Sequence, residues 1–252
     1  MSNKITSSLL LLMGLVISPV MHAEEKQELS SEKDLALKAM NNMSSYLREL
    51  DQFSIRANIY VDEVLENGQK IQQTKRLDIS ANPPTKLKIS ESDMSGDREL
   101  YYNGNEFTVY TESLGFYASF NAPKTIAGVI AKASDDYDIE IPLSDLFMWG
   151  TDNDSSTEVD EAILVGVDSV DGVSCNSFAF RQKEVDWQIC IQRGTSPLPL
   201  KLVITSKLEE TQPKYVAVLK WDTAPQLSEK IFSFAPQLGD QKIQFSPSQT
   251  NK

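Results

Sequence analysis

Cys175 and Cys190 are the pair of side chains in this sequence most able to do covalent chemistry. They lie on two strand-like segments, Val173–Phe180 and Val185–Gln192, joined by the four residues Arg181 to Glu184. That register sets Cys175 opposite Cys190 and Phe178 opposite Trp187. Directly opposed strand residues bring their Cα atoms within about 6 Å, which is disulfide range. Two cysteines in an exported chain are expected to pair, the alternative being two buried, inert thiols. The spacing is not CxxC, so a redox-active pair is not expected. The one histidine is His22. It lies in a segment read below as removable, which eliminates Ser-His and Cys-His nucleophile pairs and histidine metal sites. An EF-hand starting at Asp152 fails, because Thr157 stands at the glycine position and Ile163 at that of the bidentate glutamate. With 36 acidic residues in the chain, no carboxylate pair can be singled out for glycoside hydrolysis. GxSxG, P-loop, GxGxxG and HExxH motifs are absent, and a Ser-Lys hydrolase has no motif behind it. The residues therefore read as non-catalytic, with no cofactor and no metal.

The N-terminus sets the compartment. Lys4 precedes the apolar run Leu9–Ile17, then Ser18, Pro19 and Val20 break it and Met21-His22-Ala23 closes it. A basic start, a short apolar stretch and a small residue at the end describe a signal peptide over 1–23. The run falls short of the ~20 apolar residues that span a bilayer. No cysteine follows to carry a lipid anchor. Beyond Ala23 the chain holds 23 basic and 36 acidic residues. That balance argues against nucleic acid and against adsorption to anionic membranes. The sequence thus describes an exported, periplasmic chain that is not an integral membrane protein.

Hydrophobic periodicity supplies the elements. Residues 24–30 read as a flexible leader. Ser31 and Asp34 resemble a capping box, and Leu35, Ala36, Ala39, Met40, Met43, Leu47 and Leu50 recur at helical spacing. A helix is expected from about Ser31 to Leu50. The period then changes to two at Phe53, Ile55, Ala57, Ile59 and Val61. Asn67-Gly68, Asn103-Gly104 and Asp171-Gly172 mark tight hairpin turns. Eleven strand candidates follow one another as a meander, which favours one barrel-like sheet over a flat one. One helical insertion interrupts them. It begins near Pro123 and carries Ile126, Val129 and Ile130, then a solvated loop over Asp135–Asp138, then a short apolar turn over Pro142–Trp149. Lacking internal repeats and linkers, 31–246 reads as one domain, with 247–252 as a tail.

Several stretches resemble a family of predicted bacterial periplasmic proteins known as a domain of unknown function. They are Tyr101-Tyr102-Asn103-Gly104, Ile141-Pro142-Leu143-Ser144-Asp145-Leu146, Gly172-Val173-Ser174-Cys175, Asp186-Trp187-Gln188-Ile189 and Pro197–Thr205. The resemblance runs from about Leu35 to Phe245. It departs at Asn176-Ser177, where the family pattern would set a histidine beside the cysteine. The ending, Trp221 followed by Phe232-x-Phe234-x-Pro236-x-x-Gly239, is similar to the LolA/LolB lipoprotein-carrier superfamily. That likeness implies a mainly β fold with some α: an open antiparallel β half-barrel of about 10–11 strands, with an N-terminal helix and a helical insertion as lid. It also implies a concave apolar face for lipid or lipoprotein acyl chains.

The residues agree with that shape. Phe178, Phe180, Trp187, Ile189 and Ile191 share one sheet face, which something must cover. The expected ligand-facing set is Phe53, Ile55, Ile59, Phe107, Val109, Phe178, Phe180, Trp187, Ile189 and Trp221. The expected lid is Ile126, Val129, Ile130, Leu146 and Phe147. Loose cover admits an acyl chain, whose burial is worth ~0.8 kcal/mol per CH₂. Tight cover leaves plain core and an envelope module that meets a protein partner instead.

Overall fold

The computed structural model describes residues 19–152 and 154–248, with side chains from Ser31 onward. The residues read as a signal peptide lie largely outside this range. Helix α1 (Pro19–Arg48) begins twelve residues before the expected start. Glu, Lys, Gln and Leu dominate residues 24–30 and glycine and proline are absent there, so the helix runs through them. The flexible leader is thus helical, and Ser31 and Asp34 are interior positions rather than a cap. The inward stripe of α1 is Ala36, Met40, Met43 and Leu47, spaced four, three and four residues apart, while Leu35 is exposed.

Alternation of apolar and polar residues produces two antiparallel meanders. The first comprises β1 (Phe53–Val64), β2 (Lys70–Asn82), β3 (Lys86–Asp93), β4 (Gly96–Tyr102), β5 (Glu106–Thr111) and β6 (Phe116–Asn121). Next come α2 (Ile126–Tyr137) and α3 (Asp145–Met148). The second meander is β7 (Glu161–Val170), β8 (Val173–Arg181), β9 (Val185–Gln192), β10 (Pro199–Ser206) and β11 (Lys214–Asp222). A two-residue β12 (Gln241–Lys242), unforeseen in the sequence, adds the only parallel pair of the described sheet, along β6. The strand order is β12-β6-β5-β4-β3-β2-β1-β11-β10-β9-β8-β7. The meanders therefore join where β11 pairs with β1, and the sheet stays open, with β12 and β7 at its edges.

Turn chemistry fixes registers. Asp171 and Gly172 both have positive φ, giving the expected two-residue hairpin. At Asn67-Gly68 the loop holds three residues, because Leu65 N–H donates to Gln69 O (2.9 Å) and Gly68 (φ 81°) takes the left-handed position. At β8–β9 the turn is tighter than expected. Gln182 N–H donates to Val185 O, leaving Lys183-Glu184 as the two-residue loop. The register moves by two: Cys175 faces Gln192, Cys190 faces Ser177, and Phe178 faces Ile189 rather than Trp187. An even shift leaves every side chain on its expected face. The cysteines still join, diagonally, with Cα atoms 5.5 Å apart. They lie on the convex side beside Leu200.

The concave side holds one continuous core, in which α1, α2 and the α3 region cover the sheet. Thr125 caps α2 by accepting from Gly128 N–H (3.1 Å), so the helix starts at Ile126, beyond Pro123. It also continues through Asp135, Asp136 and Tyr137, which are helical instead of a solvated loop, and stops at Asp138 (φ 57°). Tyr137 is held there by rings: it stacks on Phe120 at 5.0 Å and meets Phe245 at 5.2 Å.

Candidate functional site

The concave face is packed at one end and open at the other. At the packed end Phe53, Ile55 and Phe107 are buried in the core, and Phe178, Phe180 and Ile189 are buried in the β8–β9 rows that lead to the open end. Phe53 meets Phe147 at 6.0 Å and Trp221 at 5.3 Å, and Phe180 stacks on Trp187 at 4.0 Å. Helix α1 is pinned over this region by Arg48, which donates to the Gly150 carbonyl, and by Lys33, which donates to the Val159 carbonyl. At the other end the cover lifts off the strands. A cavity of about 640 Å³ opens between β1–β4 and the α2–α3 segment. A second, of about 420 Å³, lies between α3 and β9–β10. Ile130, Ser144, Asp145 and Ile204 line both, so the two form one groove beneath the helical insertion. Each volume falls within the range of small-molecule pockets, about 300–1,000 Å³.

The structure distributes the expected residues unevenly around this groove. Ile59 and Trp187 line it from the sheet, and Ile130 lines it from α2. Ile126 and Val129 are buried on the core side of α2, and Leu146 on that of α3. Val109, Phe147 and Trp221 are partly buried against the core. The aromatic wall expected to form the binding face thus mainly fills the core. The groove is lined by the strand ends beyond it.

Sequence reading missed the polar wall of the groove. On β2, β3 and β4, positions that share the inward parity of Leu77, Ile89 and Leu100 carry Lys75, Glu91 and Arg98. Glu91 is only 6% exposed. It accepts from Arg98 Nε at 2.9 Å and from Lys75 Nζ at 3.2 Å, and Lys75 also reaches Asp93 at 3.4 Å. Burial works against the Lys75 charge, but Glu91 and Asp93 outweigh it and hold its pKa above the usual lysine value. The opposite wall carries Asp145 on α3. Its carboxyl opens into the groove yet is crowded by protein, and this crowding, aided by Asp154, raises its pKa. The Tyr215 hydroxyl is pushed up by burial first, then by Asp145 and Glu91. The signal was present in the sequence: the alternation that sets Leu77 and Ile79 inward sets Lys75 inward too.

Among the described residues, no group of three or more His, Cys, Asp or Glu side chains is placed to hold a metal. Likewise, no described helix is long and apolar enough to cross a membrane.

A family described as "Predicted periplasmic protein (DUF2092)" matches residues 36–246. No curated protein matches the chain. Among solved structures, an uncharacterized conserved protein from Thermus thermophilus is similar at 9% identity and a TM-score of 0.49, covering 83% of this chain and 98% of that one. Lipoprotein LppX from Mycobacterium tuberculosis is similar at 11% identity and 0.48, covering 77% and 99%. A LolA superfamily protein from Nitrosomonas europaea is similar at 8% identity and 0.40, covering 79% and 97%. With TM-scores below 0.5, these likenesses carry no functional weight, which falls instead on the groove itself.

Proposed function

The chain belongs to the DUF2092 family of predicted periplasmic proteins, and from that premise we propose that it binds or carries an acyl-bearing molecule in the groove under α2 and α3. The observation that carries this reading is the lifted cover. Helices seal one end of the concave face, while at the other end apolar side chains such as Ile59, Ile130, Leu202 and Ile204 border open space. Burying an acyl chain there gains ~0.8 kcal/mol per CH₂ and needs no reacting group. The polar wall then receives the head of the molecule. In this reading the protein is a non-catalytic binder of a lipid or a lipoprotein acyl chain.

Trp149 and Trp187 both line the groove and report on its occupant. A fatty acid brominated along its chain should quench their fluorescence saturably. Unbrominated fatty acid should reverse the quenching by competition. No saturable quenching at any chain length would refute the reading. The alternative, an envelope module that docks a protein, draws on exposed Val165 and Val167 of the edge strand β7. Capture of a stoichiometric periplasmic partner by lipid-free protein, with no quenching, would favour it.

A further inference from the structure

We propose, resting on the acyl-binding reading, that the groove selects an amphiphile with a zwitterionic head, whose anionic oxygens meet Lys75 and Arg98 and whose ammonium meets Asp145. The two stations line one cavity from opposite walls.

The cationic station is built into the sheet. Register sets Glu91 directly across from Arg98 on β3–β4. All three border the cavity, Glu91 only 6% exposed and the side chains of Lys75 and Arg98 34% and 36% exposed. A wall needed only for packing would be served as well by apolar residues, since buried ion pairs are often neutral or worse for stability than well-packed hydrophobic replacements. Glu91 and Asp93 balance the two cations, so this wall offers an anion such as a phosphate or carboxylate charge-assisted donors facing open space rather than net positive charge.

The anionic station lacks a protein partner. The Asp145 carboxylate makes no hydrogen bond or ion pair among the described residues. In the adjoining half of the groove, Ser156 Oγ is buried without a hydrogen-bond partner. The buried Ser156 hydroxyl costs free energy that a ligand supplying a partner relieves, while Asp145 is exposed to water and free to exchange it for a ligand cation.

The combination discriminates between heads. A purely anionic head fits Lys75 and Arg98 but leaves Asp145 facing like charge. A purely cationic head does the reverse. A neutral head leaves both stations unused. Only a head bearing both charges engages the two walls together.

The test uses three single-chain amphiphiles with one acyl chain in common: lysophosphatidylethanolamine, lysophosphatidylglycerol and a monoacylglycerol. Each is titrated below its micelle concentration into the exported, delipidated chain, with tryptophan fluorescence as readout. The expected result is about tenfold tighter binding of the ethanolamine lipid than of either other probe, as one charge-assisted hydrogen bond implies. Asp145→Asn should abolish its advantage over the glycerol lipid while monoacylglycerol binding is retained. The double variant Glu91→Gln/Arg98→Gln, which leaves no buried charge unpaired, should weaken both phospholipids relative to monoacylglycerol. Equal binding of all three probes, tighter binding of either comparison probe, or an unchanged preference in Asp145→Asn would overturn the zwitterion assignment and leave the acyl groove standing. Failure of all three to bind would remove the acyl-binding reading, and the assignment with it.

Discussion

At the residue scale, the two cysteines and Asp145 make the sharpest contrast. Cys175 and Cys190 were legible because export and strand parity both act locally, and even a register error of two leaves the faces unchanged. Their bond spans 15 residues on the convex face and takes no part in the groove. Replacing both by serine should lower unfolding free energy by about 3 kcal/mol, the loop-entropy value for such a span, in urea titrations. Acyl binding by the folded variant should be unchanged. Asp145 was not legible as a site residue, because its character comes from the strands that α3 faces, not from its neighbours in the chain. Its raised pKa means that the folded state disfavours its ionised form. The penalty is full above the folded-state pKa and vanishes as pH falls through the ordinary aspartate range. Asp145→Asn should therefore stabilise the protein at pH 7, by less than about 1 kcal/mol because the carboxylate keeps contact with water. The gain should shrink to nothing near pH 3. A gain that persisted unchanged at low pH would show that it does not come from the charge. A small stabilisation on removing a binding charge is the usual sign of a site held ready at some cost in stability.

At the element scale, strands and helices followed their periods, and the errors fell at their ends. The eleven foreseen strands all form. Helix α1 started early because residues 24–30 favour helix, and α2 ran late because Tyr137 finds ring partners in Phe120 and Phe245. Those partners lie on β6 and near the C-terminus, so no local pattern announces them. The C-terminal segment crosses back over the sheet edge: β12 pairs along β6, and Ser248 N–H donates to Asp136 O at 2.7 Å. It thereby straps the end of α2 in place. Ile130, on the middle of that helix, lines both halves of the groove and is only partly buried. Ile130→Trp should fill the space beneath α2 with little change in melting temperature and should weaken acyl binding at least about tenfold, since even 1.4 kcal/mol of lost contact has that effect. Val109, which borders neither half, serves as the control: Val109→Ile should leave binding intact. A bound chain unaffected by Ile130→Trp would place the ligand elsewhere.

At the scale of the whole molecule, the open sheet was legible in outline. Two meanders flanking a helical insertion imply a curved antiparallel sheet with a cover. The sequence could not show that β11 closes against β1, because that pairing joins strands far apart in the chain with no local signature. Nor could it show where the cover is tight. Aromatic residues marked the apolar face correctly, yet bulky rings fill space, and most of them are buried in the core. The open end is bordered by Trp149 and Trp187, by mid-sized side chains, and by charges whose parity alone betrays them. The central claim is that this open end holds an acyl-bearing molecule. The most direct test is native mass spectrometry of the protein released gently from the periplasm, followed by extraction of whatever dissociates. A defined mass increment, traced to an acyl species and lost in Ile130→Trp, is the predicted result. A clean apo mass that stays clean after incubation with phospholipids and lipopeptides would contradict the account.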